Sequence, residues 1–198
     1  MSRFEVGEDG WCGGVLREPS PNFDARAAHA GIDLLVIHNI SLPPGRFGGS
    51  FIADLFCNRL DCDAHTYFDQ LRALRVSAHF LIRRDGRVMQ FVSANDRAWH
   101  AGASTFHGRE RCNDFSIGIE LEGTDAEPFE AEQYEALAAL TQALRARYPL
   151  TDVTGHEHIA PGRKTDPGPC FDWDRYRKSL IQNAPPACVR DPLRFPRI

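Results

Sequence analysis

The run Asp33-Leu34-Leu35-Val36-Ile37-His38-Asn39-Ile40 constrains this chain more than any other stretch. Its apolar residues are nearly continuous rather than alternating. That suits a strand covered on both faces, and it demands packing layers above and below a sheet. Side chains alternate along a strand, so Leu34, Val36 and His38 share one face and Leu35 and Ile37 the other. His38 falls where the run gives way to Ser41-Leu42-Pro43-Pro44-Gly45. The end of a core strand opening into a loop is a usual address for functional side chains in α/β folds.

Other patterns supply the layers. Val76–Ile82 and Arg87–Val92 flank Arg84-Asp85-Gly86, which reads as a hairpin closed by a tight primed turn. Ser116–Gly123 alternates. Ile117, Ile119 and Leu121 share one face, while Ser116, Gly118 and Glu120 share the other, where small residues predict open space beside the carboxylate. Tyr134, Leu137, Thr141 and Leu144 recur at helical steps over 131–148, and Pro149 stops the helix. A second helix over 172–181 packs Trp173, Tyr176 and Leu180. Residues 50–74 are partly helical with a break near Asp61-Cys62-Asp63, and 93–114 form a long polar loop. The expected fold is α/β, a central mixed β-sheet flanked by helices. It forms one domain over 1–198, with a core over about 10–182 and a proline-rich tail over 183–198.

Bulk properties exclude several classes. A net charge of -4 with no basic block argues against nucleic acid or an anionic membrane as partner, and no obligate protein partner is implied. The opening MSRFEVGEDGWCGG lacks the apolar run of a signal peptide, and no apolar run is long enough to span a bilayer, so a cytoplasmic location is expected. The 6 cysteines are irregularly spaced and form no CxxC pair, which reads as reduced thiols. Cys57 and Cys62 make half of a structural zinc site with no second half. The chain has no G-x-S-x-G element of a serine hydrolase.

The chemistry concentrates in Gly155–Pro169, a turn-rich run holding His156, His158, Lys164 and Asp166. Zinc hydrolase sites commonly use three protein ligands, and imidazole nitrogen with carboxylate oxygen suits that metal. His38, His156 and Asp166 form a candidate trio with Lys164 facing the same site. From the residues alone rivals stay open. His38 could be a hydrogen-bonded core histidine, Asp166 a turn carboxylate, and Cys170 the third ligand. In an extended loop His156 and His158 point apart, so one of the two meets the metal. His79 reads as a core histidine and His100 as a residue that lines a cleft.

Five motifs carry a resemblance. They are Val36–Gly45, Arg75–His79, Arg97–Gly102, Gly108–Thr124 and Lys164–Pro169, in that order along roughly residues 10–180. Together they are similar to the anhydro-muramyl-peptide branch of the type 2 N-acetylmuramoyl-L-alanine amidases, whose fold is shared with peptidoglycan recognition proteins and T7-type lysozyme. The resemblance implies a cytoplasmic zinc amidase acting on anhydro-muropeptides in cell-wall recycling, with an influence on β-lactamase induction. By position it implies one Zn2+ per chain on His38, His156 and Asp166, with Glu120 and Lys164 as catalytic residues. Asn39, Arg75, Trp99 and Arg111 become candidates for gripping the substrate. At His158 the family pattern has an acidic residue, which makes this histidine a bystander. Ala78 stands where relatives nearer the phage enzyme carry a catalytic tyrosine, which leaves Glu120 as the base. A broader peptidoglycan amidase and a non-catalytic recognition module remain the alternatives.

Overall fold

The computed structural model describes residues 3–27, 31–182 and 193–196. Six strands build the main sheet: β1 (Leu16–Arg17), β2 (Leu34–Ile40), β3 (Phe80–Ile82), β4 (Val88–Gln90), β5 (Ser116–Glu122) and β6 (Asp152–Gly155). Their order across the sheet is β6-β2-β5-β3-β4-β1. The four strands from β6 to β3 run parallel, β4 is antiparallel to β3, and β1 is parallel to β4, so the sheet is mixed. Leu34, Leu35, Val36 and Ile37 are fully buried, as a strand covered on both faces requires.

Helices α1 (Phe51–Phe56), α2 (Ala131–Arg147), α3 (His156–Ile159) and α4 (Trp173–Gln182) cover the sheet with the loops. One core joins Leu35, Ile37, Ile117, Ile119 and Leu121 to Tyr134, Leu137, Leu140 and Leu144 of α2 and to Trp173, Tyr176 and Leu180 of α4. Buried Thr141 Oγ1 and Tyr176 OH lie 2.7 Å apart and join the two helices. Glu130 N–H donates to Gln133 Oε1 at the start of α2, and Gln133 in turn donates to Ile82 O and Glu122 O, which pins the helix to the sheet. On the opposite face Leu34 and Val36 meet Ala101, Cys112, Phe115 and Ile159.

Three details differ from the sequence reading. Strand β6 was not expected; Asp-Val-Thr-Gly is too short to display a period, and its pairing with β2 is what makes it a strand. The hairpin turn is not of the primed kind. Gly86 takes φ 74°, Asp85 does not turn positive, and Gly86 N–H donates to Arg83 O, so a type I turn is closed by a left-handed glycine. Third, the 93–114 loop carries short ladders, Arg97–Ala98 against Phe23–Asp24 and Thr105–Phe106 against Arg109–Glu110. Of the tail, residues 183–192 and 197–198 lie outside the described residues. Arg194 bridges to Asp152 of β6, and Phe195 packs on Trp173 and Tyr176. The five described cysteines are free thiols.

Candidate active site

Parallel register assembles the site. Glu120 of β5 pairs with His38 of β2, and Thr154 of β6 pairs with Val36. Paired residues of a parallel sheet point to the same side, so His38 and Glu120 stand next to each other. His156 follows the last residue of β6 at the same edge, where it opens α3. All three therefore project at the carboxyl ends of parallel strands. Asp166 returns from the following loop, whose path is held by a hydrogen bond from Glu157 N–H to Asp166 O.

The side chains converge closely. His38 Nδ1 lies 3.0 Å from His156 Nδ1 and 2.9 Å from Asp166 Oδ2, and His156 Nδ1 lies 3.0 Å from that same oxygen. Both histidines are buried, and Asp166 is nearly so. His156 Nε2 faces Ala101 O at 3.0 Å; a carbonyl only accepts, so Nε2 carries a proton, and in the neutral ring the remaining lone pair is on Nδ1, toward the cluster. Burial, the largest cause, pushes His38 down to about 4 against the opposing pull of Asp166, so the ring is neutral near pH 7.

Glu120 is 9 % exposed, and its Oε2 is buried with no hydrogen-bond partner among the described residues. Burial, and then the charge of Asp166, raise its pKa well above the usual carboxylate range, while Lys164 pulls the other way. Lys164 and Asp166 line one cleft of about 700 Å³ together with His38, Asn39, Trp99, Glu120 and His156.

A cation fits this arrangement. Three donor atoms on a triangle with edges of 2.9–3.0 Å can all touch one ion at the ~2.0–2.2 Å usual for zinc with nitrogen and oxygen ligands. Imidazole nitrogens and a carboxylate oxygen are the right donors, and a carboxylate oxygen next door with no partner among the described residues is what a cation or its water would satisfy. His38, His156 and Asp166 are the cluster of this type among the described residues. Cys170, the rival third ligand, takes no part in it.

The remaining candidates are distributed unevenly. Asn39 donates its amide to Asp125 Oδ1 at 2.6 Å and to Pro167 O at 3.0 Å, which ties the cleft wall together. Arg75 is exposed and donates to Arg72 O and Leu74 O, and Arg111 pairs with Asp114 at 3.2 Å. Neither is among the residues lining the cleft. His158 does point away from His156, for a different reason than expected. The segment is a helical turn, not an extended loop, and His158 Nδ1 accepts Gly155 N–H at 3.2 Å. Sequence reasoning also misjudged the space beside Glu120. A Cβ on Gly118 would meet the His100 ring at 2.4 Å, so the missing side chain makes room for an imidazole.

Residues 26–169 match the model of the N-acetylmuramoyl-L-alanine amidase family Amidase_2. The chain belongs to this family. The amidase is 57% identical over 172 residues to the 1,6-anhydro-N-acetylmuramyl-L-alanine amidase AmpD of Citrobacter freundii, covering 86% of this chain and 92% of that one. A crystal structure of a selenomethionine AmpD derivative superposes with a TM-score of 0.84 at 55% identity, over 87% of this chain and 98% of the other. AmiD from E. coli, solved with anhydro-N-acetylmuramic acid-L-Ala-D-gamma-Glu-L-Lys, gives a TM-score of 0.57 at 31% identity, over 88% and 65%. The fold extends to human PGRP-IBETAC, with a TM-score of 0.54 at 20% identity, over 81% and 93%. The expected mixed-sheet amidase fold of the peptidoglycan-recognition type is thus the observed one. No described helix of the amidase is long and apolar enough to cross a membrane.

Proposed function

We propose that the chain holds one zinc ion on His38, His156 and Asp166 and hydrolyses the lactyl amide joining 1,6-anhydro-N-acetylmuramic acid to L-alanine. The observation that carries this reading is the meeting of three donor atoms, two of them on buried histidines, within 3.0 Å of one another, beside a Glu120 Oε2 that has no partner among the described residues. The likeness to AmpD supports the substrate, and the muropeptide held by AmiD supports a peptide-bearing ligand for the cleft. Bound there, zinc supplies Lewis acidity that acidifies water and polarises the amide carbonyl.

The protein's own groups do the rest. Glu120, made a stronger base by burial, takes a proton from the attacking water as the new carbon–oxygen bond forms. The Lys164 ammonium, facing the same cleft, balances charge on the tetrahedral oxygen. Glu120 then returns the proton to the alanine nitrogen as the carbon–nitrogen bond breaks, which frees an amine and leaves a carboxylic acid on the lactyl group; the acid's proton passes to the amine, giving carboxylate and ammonium. Trp99 offers an aromatic wall for the sugar, and Asn39 shapes the wall that the peptide lies along. Arg75 and Arg111, at the exposed periphery, serve the stem-peptide carboxylates. The enzyme works in the cytoplasm on recycled wall fragments, and its turnover sets the level of the muropeptides that induce β-lactamase. Residues 1–198 act as one amidase domain.

Metal analysis together with turnover on anhydro-muropeptide tests this. One zinc per chain is expected, with activity lost to a chelator and restored by added zinc. Full activity in stripped protein removes the metal reading. Equal turnover of reduced, non-anhydro muropeptides points to a broader amidase, and binding without amide release to a recognition module.

A further inference from the structure

Both imidazoles of the metal cluster are contacted from behind by one segment, Trp99-His100-Ala101-Gly102, which supplies no ligand itself. Ala101 O accepts a hydrogen bond from His156 Nε2–H. The other contact is His38 Nε2 with His100 Nδ1, at 3.0 Å. Two ring nitrogens facing each other do not by themselves say which one carries the proton.

The far end of the chain of contacts decides it. Ser116 Oγ donates its single proton to Cys112 O at 2.6 Å. The same oxygen lies 3.3 Å from His100 Nε2 and, with its proton committed, can only accept there. His100 therefore carries its proton on Nε2 and presents a lone pair at Nδ1. That lone pair accepts from His38 Nε2–H and leaves the His38 Nδ1 lone pair directed at His156 and Asp166. Donor and acceptor roles are consistent along the whole path, from a backbone carbonyl to the ligand atom.

We infer that His100 is a positioning residue, one that sets the tautomer and ring orientation of His38 for the metal. The inference rests on the zinc reading above. Two independent features of the fold serve it. Gly118 has no side chain where a Cβ would lie 2.4–2.6 Å from the His100 ring atoms, so β5 is cut away to admit the imidazole. Asn113 Oδ1 accepts both His100 N–H, at 3.2 Å, and Ala101 N–H, at 2.8 Å, which fixes the segment that carries both contacts. A partner behind a ligating histidine commonly strengthens metal binding by about 10–100-fold.

The test measures zinc affinity by competition with a chromogenic chelator, in the full chain stripped of metal and titrated with zinc alone. His100→Leu, which has no acceptor, should bind zinc about 10–100-fold more weakly than the parent. His100→Asn, whose Oδ1 can stand in for the ring Nδ1, should recover most of that loss. Equal affinities for parent and folded His100→Leu overturn the inference. Should the leucine variant fail to fold, 15N NMR of the zinc-loaded parent decides: a scalar coupling across His38 Nε2–H···Nδ1 of His100 is expected, and its absence overturns the inference. A parent that binds no zinc at all removes the metal reading itself, and this inference with it.

Discussion

Alternate residues of β5 serve two different regions of the molecule. Ile117, Ile119 and Leu121 point into the core with α2 and α4, where contacts are apolar and without directional preference. Ser116, Gly118 and Glu120 point the other way, against His100, His38 and the cleft. On the apolar side a substitution is felt through volume, because a packed interior relaxes incompletely around a cavity. On the polar side it is felt through individual donors, acceptors and charges. A two-residue period thus lets one buried strand stabilise the fold with one set of side chains and line the proposed site with the next.

Exchanges of one side chain on each face sharpen this contrast. The largest effect belongs to the polar face. Glu120→Gln keeps the shape and removes the proposed base, so kcat should fall by about 10²–10⁴-fold, the range usual for general acid–base catalysis. Its thermal midpoint should stay the same or rise, since a buried and unpartnered carboxylate oxygen is costly to keep. Unchanged turnover would take Glu120 out of the mechanism. On the apolar face, Ile119→Ala should cost about 2–5 kcal/mol in denaturant unfolding. The kcat of the folded fraction should be unaffected, and a large loss there would mean that the two faces are not independent.

A further expected effect concerns pH and appears only in acid. His79 is buried, its Nδ1 accepts Gly118 N–H at 3.0 Å, and its Nε2–H donates to Asp96 O at 3.0 Å. Burial, followed by the charge of Arg26, pushes it down from 6.5 to about 3. Its folded value lies below its unfolded one, so the unfolded chain binds the extra proton between these limits. The stabilisation is complete above pH 6.5 and is lost as the pH falls toward 3. In urea titrations the parent should lose more stability than His79→Gln between pH 7 and about pH 4; parallel curves would show that His79 does not contribute.

How much of this was legible in the chain depended on how local each signal was. The buried strand at Leu34–Ile40 and the helix beginning at Ala131 carry their periods in their own residues, and both appear within a residue or two of the expected places. Strand β6 does not, because four residues cannot display a period. The space beside Glu120 was misread for a similar reason. Gly118 records that something sits close, but its identity, His100, comes from a loop 18 residues earlier in the chain.

The candidate site follows the same division. Residue types and turn chemistry marked His38 and the Gly155–Pro169 run, and the motif resemblance selected Asp166 over Cys170. Spacing alone left that choice open. Proximity was decided by tertiary structure. His38 is 118 residues from His156 and 128 from Asp166, and the parallel pairing of β2 with β5 and β6 brings them to one edge. The proton on each ring nitrogen was equally out of reach of the sequence, because it depends on carbonyls and a hydroxyl, Ala101 O, Cys112 O and Ser116 Oγ, that only the folded chain places against the histidines. Local composition selects elements, whereas hydrogen-bond direction and strand register are properties of the assembled chain.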